Sequence, residues 1–116
     1  MKEFLLLIRT EGDVWTSLSP KQLQEHIENG NAYIGNLMKD GKLKSAAPLD
    51  KGSRVVTDNN GIIKDGPFNE SKEVIAGYFH VVAKDIEEAV EIAKSNPIFR
   101  DIPTQIEVHP LKAVGG

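Results

Sequence analysis

The sequence predicts a single α+β domain, over residues 1–116, in which two helices cover one face of an antiparallel sheet. Three observations lead to this fold class. The chain has 116 residues, which is the size of one domain. Short apolar segments bounded by glycine, proline or asparagine are typical of strands. Two segments, one starting after Ser19 and one at Asp85, instead repeat apolar residues at helical spacing.

The first predicted strand, residues 3–9, is apolar on both faces. Successive side chains of a strand point to opposite faces of the sheet. The apolar side chains alternate between these faces, with Phe4, Leu6 and Ile8 on one and Leu5 and Leu7 on the other. We therefore expect this strand to be buried on both sides.

The first helix is predicted to begin at a capping motif. Ser19 can cap the helix, Pro20 suits its first position, and Gln22 follows Ser19 at the spacing of a capping box. Gly41 ends the helix, because glycine readily takes the left-handed cap conformation.

The apolar face of this helix contains a glycine. Its large residues recur at helical spacing: Leu23, Ile27, Ile34, Leu37 and Met38. Gly30 lies on the same face, although glycine is unfavourable inside a helix. We expect the close approach of a neighbouring strand to explain it.

The remaining predicted elements are five strands and a second helix. An Asn60-Gly61 pair, which is a strong hairpin signal, joins two of the strands. The second helix starts at Asp85, with Glu88 as its capping-box partner, and ends before Pro97. The strands cover residues 43–49, 53–57, 62–64, 74–83 and 104–109, with a tight loop over 65–68.

Without the hairpin, the order of elements is β-α-β-β-α-β, the ferredoxin-like split unit. Two helices cover only one face of such a sheet, yet residues 74–83 are apolar on both faces, as residues 3–9 are. Alternation places Ile75, Phe79 and Val81 toward the helices and Val74, Ala76, Tyr78, His80 and Val82 away from them. A second copy, packed sheet on sheet in a twofold homodimer, is the economical cover for the open face.

Composition and charge exclude several classes of protein. With 40% apolar residues, 27% charged residues and a net charge of −3, the chain is neither disordered nor a general nucleic-acid binder. Cysteine is absent, which excludes a disulfide framework and a thiolate nucleophile and fits a cytoplasmic location. The apolar run Phe4–Ile8 is shorter than the ~7–15 residues of a signal peptide and the ~20 of a membrane helix, so we expect neither.

Residues 65–73 read DGPFNESKE. This segment resembles the signature for which the DGPFAETKE proteins, a branch of the YCII-related family, are named. Asn69 and Ser71 replace alanine and threonine of that signature. Other segments also resemble the family: Phe4–Ile8, Leu18-Ser19-Pro20, Ile75–Phe79 and Ile106–Pro110, in which His109 stands where arginine is more usual.

The resemblance covers nearly the whole chain and implies a dimeric α+β barrel. It also implies relatives that act on small aromatic or cyclic molecules. Some homologous domains lie beside sigma-factor regions, which implies a regulatory use. The resemblance implies no particular reaction.

Asp65 is the first candidate catalytic residue. It suits a general base or a ligand contact at the open face of the sheet. Alternatively, it accepts hydrogen bonds from backbone N–H groups in an Asx-turn, and the sequence favours this structural interpretation. In the same segment, Lys72 is a candidate for binding an anionic substrate or a solvated surface charge. Phe68 is a candidate lining residue of a binding pocket.

The histidines supply the other candidates. His26 lies at the edge of the apolar helix face and suits acid–base work, because histidine titrates near pH ~6.5. Related YCII proteins carry a histidine thought to be functional in the corresponding helix, and the alternative is an exposed helix-edge histidine. His80 and Tyr78 share the strand face assigned to the dimer interior, which His109 and Glu107 join if their strands pair. These four side chains would line a small polar pocket or form hydrogen bonds across the interface.

Three functions are compatible with these residues. The first is an acid–base enzyme without a cofactor, acting on a small cyclic or aromatic substrate through Asp65 and either His26 or His80. The second is a non-catalytic ligand-binding or regulatory module that uses the same pocket, and the third is a structural dimer accessory. No metal is expected, because the histidines lack local ligand spacing. Convergence of Asp65 with a histidine in one cavity would favour catalysis.

Overall fold

A computed structural model describes residues 1–12, 17–50, 52–68 and 73–113; for residues 66–68 and 73 only the backbone is described. In chain order, the elements are β1 (Lys2–Glu11), α1 (Pro20–Lys39), β2 (Leu43–Pro48), β3 (Arg54–Asn59), β4 (Ile62–Phe68), β5 (Glu73–Ala83), α2 (Ile86–Lys94), α3 (Ile98–Asp101) and β6 (Thr104–Pro110). The short helix α3 is the one element that the sequence did not predict.

Four strands form one antiparallel sheet in the order β2-β5-β1-β6, and β3 and β4 form a separate hairpin. The four-stranded order is compatible with the ferredoxin-like unit that the sequence predicts. Because β1 lies between β5 and β6, it pairs on both edges. The fold is therefore a mixed α+β arrangement with a hairpin inserted between β2 and β5.

Helix α1 begins and ends as its sequence predicts. The Gln22 N–H donates to Ser19 Oγ at 3.1 Å, and the Ser19 N–H donates to Gln22 Oε1 at 2.9 Å, which completes a capping box. The helix ends at Lys39, and Gly41 follows with φ +71°, a left-handed conformation that glycine adopts without steric cost. Local hydrogen bonds thus set both ends of α1.

The core lies between the helices and one face of the sheet. Its buried side chains come from both strands of the sheet centre and from α1 and α2: Phe4, Leu6, Leu37, Val81, Ala83, Ala89, Ile92 and Ala93. A second, smaller cluster joins Ile8 to Ile98 and Ile102 of the α3 region. The predicted burial of Val81 and Leu37 is confirmed, whereas Ile27 and Met38 of the predicted apolar helix face are 48% and 63% exposed.

A β-bulge changes the predicted faces of β5. Ile8 pairs with Gly77 and Arg9 pairs with Ile75, so Ala76 is an extra residue in β5. Ala76 packs against the smaller core cluster, while Ile75 is 39% exposed. The predicted faces of Val74, Ile75 and Ala76 were therefore wrong, because one extra residue reverses the alternation of side chains beyond it.

The hairpin turn is confirmed, but the tight loop predicted over residues 65–68 is wrong. Asn60 and Gly61 have φ values of +53° and +85°, as a type I′ hairpin turn requires. Strand β4 continues through residues 65–68 to Phe68. Proline is tolerated there because β4 belongs to a two-stranded ribbon, in which each strand has an unpaired edge.

Candidate functional site

A pocket of about 350 Å³ lies between α1, the β2 and β5 edge of the sheet, and the segment that leads into α3. Its size falls within the range of small-molecule sites. Most of its wall is apolar, and the residues that matter most for its shape and chemistry are His26, Gly30, Tyr33, Ala47, Phe79 and Ile98. The pocket thus offers an apolar molecule a site next to an imidazole.

The imidazole of His26 is hydrogen-bonded to the carboxylate of Asp101 at this pocket. The imidazole Nδ1 lies 2.8 Å from Asp101 Oδ2, and the His26 side chain is only 12% exposed. An ionised carboxylate can only accept a hydrogen bond, so Nδ1 carries the hydrogen of this contact. In a neutral ring the basic nitrogen is then Nε2.

Helix α3 positions Asp101, the carboxylate of this pair. The buried Asn96 accepts a hydrogen bond from the Ile98 N–H at 3.0 Å, which fixes the start of the short helix. The Ile102 N–H donates to the Ile98 carbonyl at 3.0 Å. Ile98 and Ile102 are both buried, so the turn that carries Asp101 is anchored to the core.

Tyr33 forms part of the pocket wall. Its hydroxyl donates a hydrogen bond to the Ile92 carbonyl, and its ring lies 5.7 Å from that of Phe79 at an angle of 53°. Burial raises the pKa of the Tyr33 phenol. Because the hydroxyl is neutral and already donates to the backbone, Tyr33 contributes shape to the pocket.

The hairpin holds Asp65, which does not line this pocket. The Asp65 carboxylate accepts a hydrogen bond from the Arg54 guanidinium across β3 and β4, and both side chains are at least half exposed. The backbone of Phe68 pairs with Arg54, while its side chain lies outside the described structure. Lys72 lies outside the described residues altogether. Asp65 and a histidine therefore do not converge at this pocket.

Tyr78 and His80 lie on the sheet face opposite the helices. His80 pairs with Leu5 of β1 and Tyr78 pairs with Leu7. The His80 Nε2 lies 2.8 Å from Glu3 Oε1, and the Lys44 ammonium lies 3.0 Å from the same oxygen. The hydrogen bonds from Lys44 and then His80 hold the pKa of the Glu3 carboxyl below its usual value.

His109 belongs to a second polar cluster on this face. Its Nε2 lies 2.8 Å from Glu107 Oε1, and Arg9 forms an ion pair with the same carboxylate. The hydrogen bond from His109 is the main reason that the pKa of Glu107 lies below its usual value. The sequence left open whether the strand of Glu107 and His109 pairs with the strand of His80; in the structure it pairs with β1 instead. As a result, β1 separates this cluster from His80.

The described residues give no sign of a metal centre or a membrane span. In ranges 1–12, 17–50, 52–68 and 73–113, no three histidine, aspartate or glutamate side chains form a group suited to a metal ion. Within the same part of the chain, no helix combines the length and apolar character that a membrane crossing needs.

Sequence reasoning identified His26 as a candidate but missed Asp101. The two residues are 75 positions apart. Position 101 lies in the connection between the second predicted helix and the last predicted strand, and no local motif links it to the first helix. The sequence offered one indication of this role: Asp101 stands between Ile98 and Ile102, and burial of these two isoleucines anchors the connection to the core.

The comparisons with known proteins concern almost the whole of this fold. No curated protein matches the sequence. Residues 2–112, which run from β1 to just beyond β6 and include both His26 and Asp101, match the family model described as the YCII-related domain. The chain therefore belongs to the YCII-related family.

Proposed function

We propose that this protein binds a small, mainly apolar molecule in the pocket beside His26 and transfers a proton to and from it. The observation that carries this proposal is the 2.8 Å contact between His26 Nδ1 and Asp101 Oδ2 in a side chain that is 12% exposed. A histidine oriented by a carboxylate at an apolar pocket is a common arrangement for general acid–base catalysis. Small cyclic or aromatic compounds are the proposed substrates.

The proposed chemistry uses only the two side chains for proton transfer. His26 Nε2 accepts a proton from the bound molecule while Asp101 stabilises the imidazolium. The same nitrogen then returns the proton to another atom of the substrate or to water. A bound apolar molecule displaces water from the pocket, which strengthens the electrostatic contact between imidazolium and carboxylate.

The elimination of 5-nitrobenzisoxazole tests this function without knowledge of the natural substrate. A base removes the proton on C3 of this flat ring, the C–H electron pair completes a nitrile, and the N–O bond breaks to release a coloured phenolate. We expect the protein to accelerate the reaction. His26→Asn and Asp101→Asn should each lower kcat/KM at least about tenfold, since a positioned base contributes about 10²–10⁴-fold.

His109→Asn is the matched control, because His109 is also paired with a carboxylate but lies on the opposite sheet face, outside the pocket. It should leave kcat/KM unchanged. An unchanged rate in His26→Asn would contradict the proposal. Binding of the probe by the protein without acceleration would instead favour the non-catalytic ligand-binding or regulatory module.

We further propose that two copies pack through the sheet faces that carry Tyr78 and His80, as a dimeric α+β barrel. The support is that α1 and α2 pack on the other face, while Leu5 and Leu7 lie directly opposite His80 and Tyr78 on the open face. The charges of this face are already paired with one another within one copy, as at Glu3 with Lys44. Pairing of this kind lowers the cost of burying charge in an interface.

Assignment to the DGPF branch of the family is also a proposal. It is supported by residues 65–73, which match the signature at seven of its positions: Asp65, Gly66, Pro67, Phe68, Glu70, Lys72 and Glu73.

A further inference from the structure

Position 30 interrupts the apolar face of α1. The residues on this face recur every three or four positions, as in Leu23, Ile34 and Leu37. At position 30 this spacing calls for a large side chain, but the residue is glycine. Glycine is the least favourable residue of a helix interior apart from proline, so its presence there needs a reason.

Nothing in the packing of the described residues supplies that reason. Gly30 lies in the interior of α1, and a Cβ added to it would meet no atom of residues 1–12, 17–50, 52–68 and 73–113 within 4 Å. Gly77 provides the contrast: a Cβ there would lie 3.0 Å from the Ala47 carbonyl oxygen. The close approach of a strand therefore explains Gly77, whereas the expectation that it would explain Gly30 was wrong.

The open space beside Gly30 is the pocket that contains His26. Both residues line it, and they are four positions apart on one helix. Residues at this spacing are neighbours on a helix surface, with about 5–6 Å between their Cβ atoms. Any side chain at position 30 would therefore occupy the part of the pocket next to the imidazole.

We infer that Gly30 is a specificity-determining residue: its missing side chain leaves the room in which the ring of the substrate lies against His26. This inference rests on the proposed function. It adds that the residue at position 30 determines how large a substrate the site accepts. The apolar wall opposite, which includes Ile8 and Phe79, favours a flat, uncharged ring in this space.

Four variants test the inference, with indole as the probe and the His26 imidazole resonances as the readout of binding. Gly30→Leu should weaken indole binding about tenfold or more, the scale on which extra methylenes act in an apolar pocket. Gly35→Leu is the matched control, because Gly35 is also inside α1, has no atom of the described part of the chain within 4 Å of an added Cβ, and does not line the pocket. It should change indole binding by less than about twofold.

Thermal melting of the same variants separates a filled pocket from a damaged fold. Gly30→Ala and Gly35→Ala should both raise Tm, because alanine is the better helix former. Gly30→Leu should melt no lower than Gly35→Leu, since its side chain enters open apolar space. A lower Tm for Gly30→Leu, or indole binding equal to that of the unmodified protein, would overturn the inference.

Failure of the proposed function gives a different pattern. If His26→Asn keeps the full elimination rate while Gly30→Leu still blocks indole, the acid–base role is wrong and Gly30 still limits the pocket. If the unmodified protein binds no indole, no ring enters the space beside Gly30, and the inference about this residue is wrong.

Discussion

At the residue scale, the contribution of Asp65 to the stability of the fold depends on the group with which its carboxylate is paired. Its ion pair with Arg54 joins side chains that are 50% and 65% exposed. Exposed pairs contribute about 0–1 kcal/mol, because water screens the charges and two long side chains lose freedom. An Asx-turn acceptor would contribute more, by analogy with the about 0.5–2 kcal/mol of helix caps.

We therefore expect Asp65→Ala to lower the free energy of unfolding by less than about 1 kcal/mol, measured by urea titration. Arg54→Ala should have a similar effect, and the double variant should cost less than the sum of the two, as required when one contact accounts for both. A loss of more than about 2 kcal/mol in Asp65→Ala alone would indicate backbone hydrogen bonds to this carboxylate.

For the pair of His26 and Asp101, the sequence alone predicts one of the two residues. A histidine at the edge of an amphipathic helix is visible from helical spacing alone. Its partner comes from a distant segment, and a contact over 75 positions depends on how α1 and α3 pack. Packing of this kind is a property of the whole core. The sequence therefore predicted His26 and missed Asp101, the carboxylate that pairs with it.

At the scale of elements, Asn96 joins the end of α2 to the start of α3. It is 9% exposed, and its Oδ1 accepts a hydrogen bond from the Ile98 N–H. Asn96→Ala leaves this buried N–H without that partner, which costs about 1–3 kcal/mol. It should also loosen the helix that holds Asp101, so that kcat/KM for 5-nitrobenzisoxazole falls although Asn96 itself transfers no proton.

The conservative variant Asn96→Asp should restore much of the rate, because a carboxylate oxygen also accepts the Ile98 N–H. Asp85→Ala is the control for a general loss of stability, since Asp85 caps α2 by accepting a hydrogen bond from the Glu88 N–H at 2.9 Å and does not line the pocket. A rate in Asn96→Ala equal to that of the unmodified protein would show that Asp101 is positioned without this contact.

The elements that the sequence predicted well are those fixed by contacts between residues close together in the chain. The start of α1 depends on hydrogen bonds between residues three positions apart, and the hairpin turn depends on two residues that tolerate positive φ. The bulge at Ala76 arises from register against β1, for which the chain carries no local signal. Likewise, glycine and proline in 65–68 suggested a loop, although an unpaired strand edge accepts both.

At the scale of the whole molecule, the open sheet face predicts the state of assembly. We expect light scattering at micromolar concentration to give twice the chain mass of 12.8 kDa. Leu7→Lys places a charge among the apolar residues of this face and should yield monomers. Met38→Lys is the control, because Met38 is 63% exposed on α1 and lies on the other side of the sheet. A monomer in the unmodified protein would refute the dimeric barrel.

The position of β1 in the sheet also has a consequence for how the chain is made. In chain order, β1 precedes both of its neighbours in the sheet, β5 and β6. Its apolar side chains therefore stay without strand partners until β5 has been synthesised. Pairings between distant parts of a chain also form slowly, because the intervening loop must close first. The nascent chain thus presents an unpaired, leucine-rich segment until β5 and β6 emerge and complete the sheet.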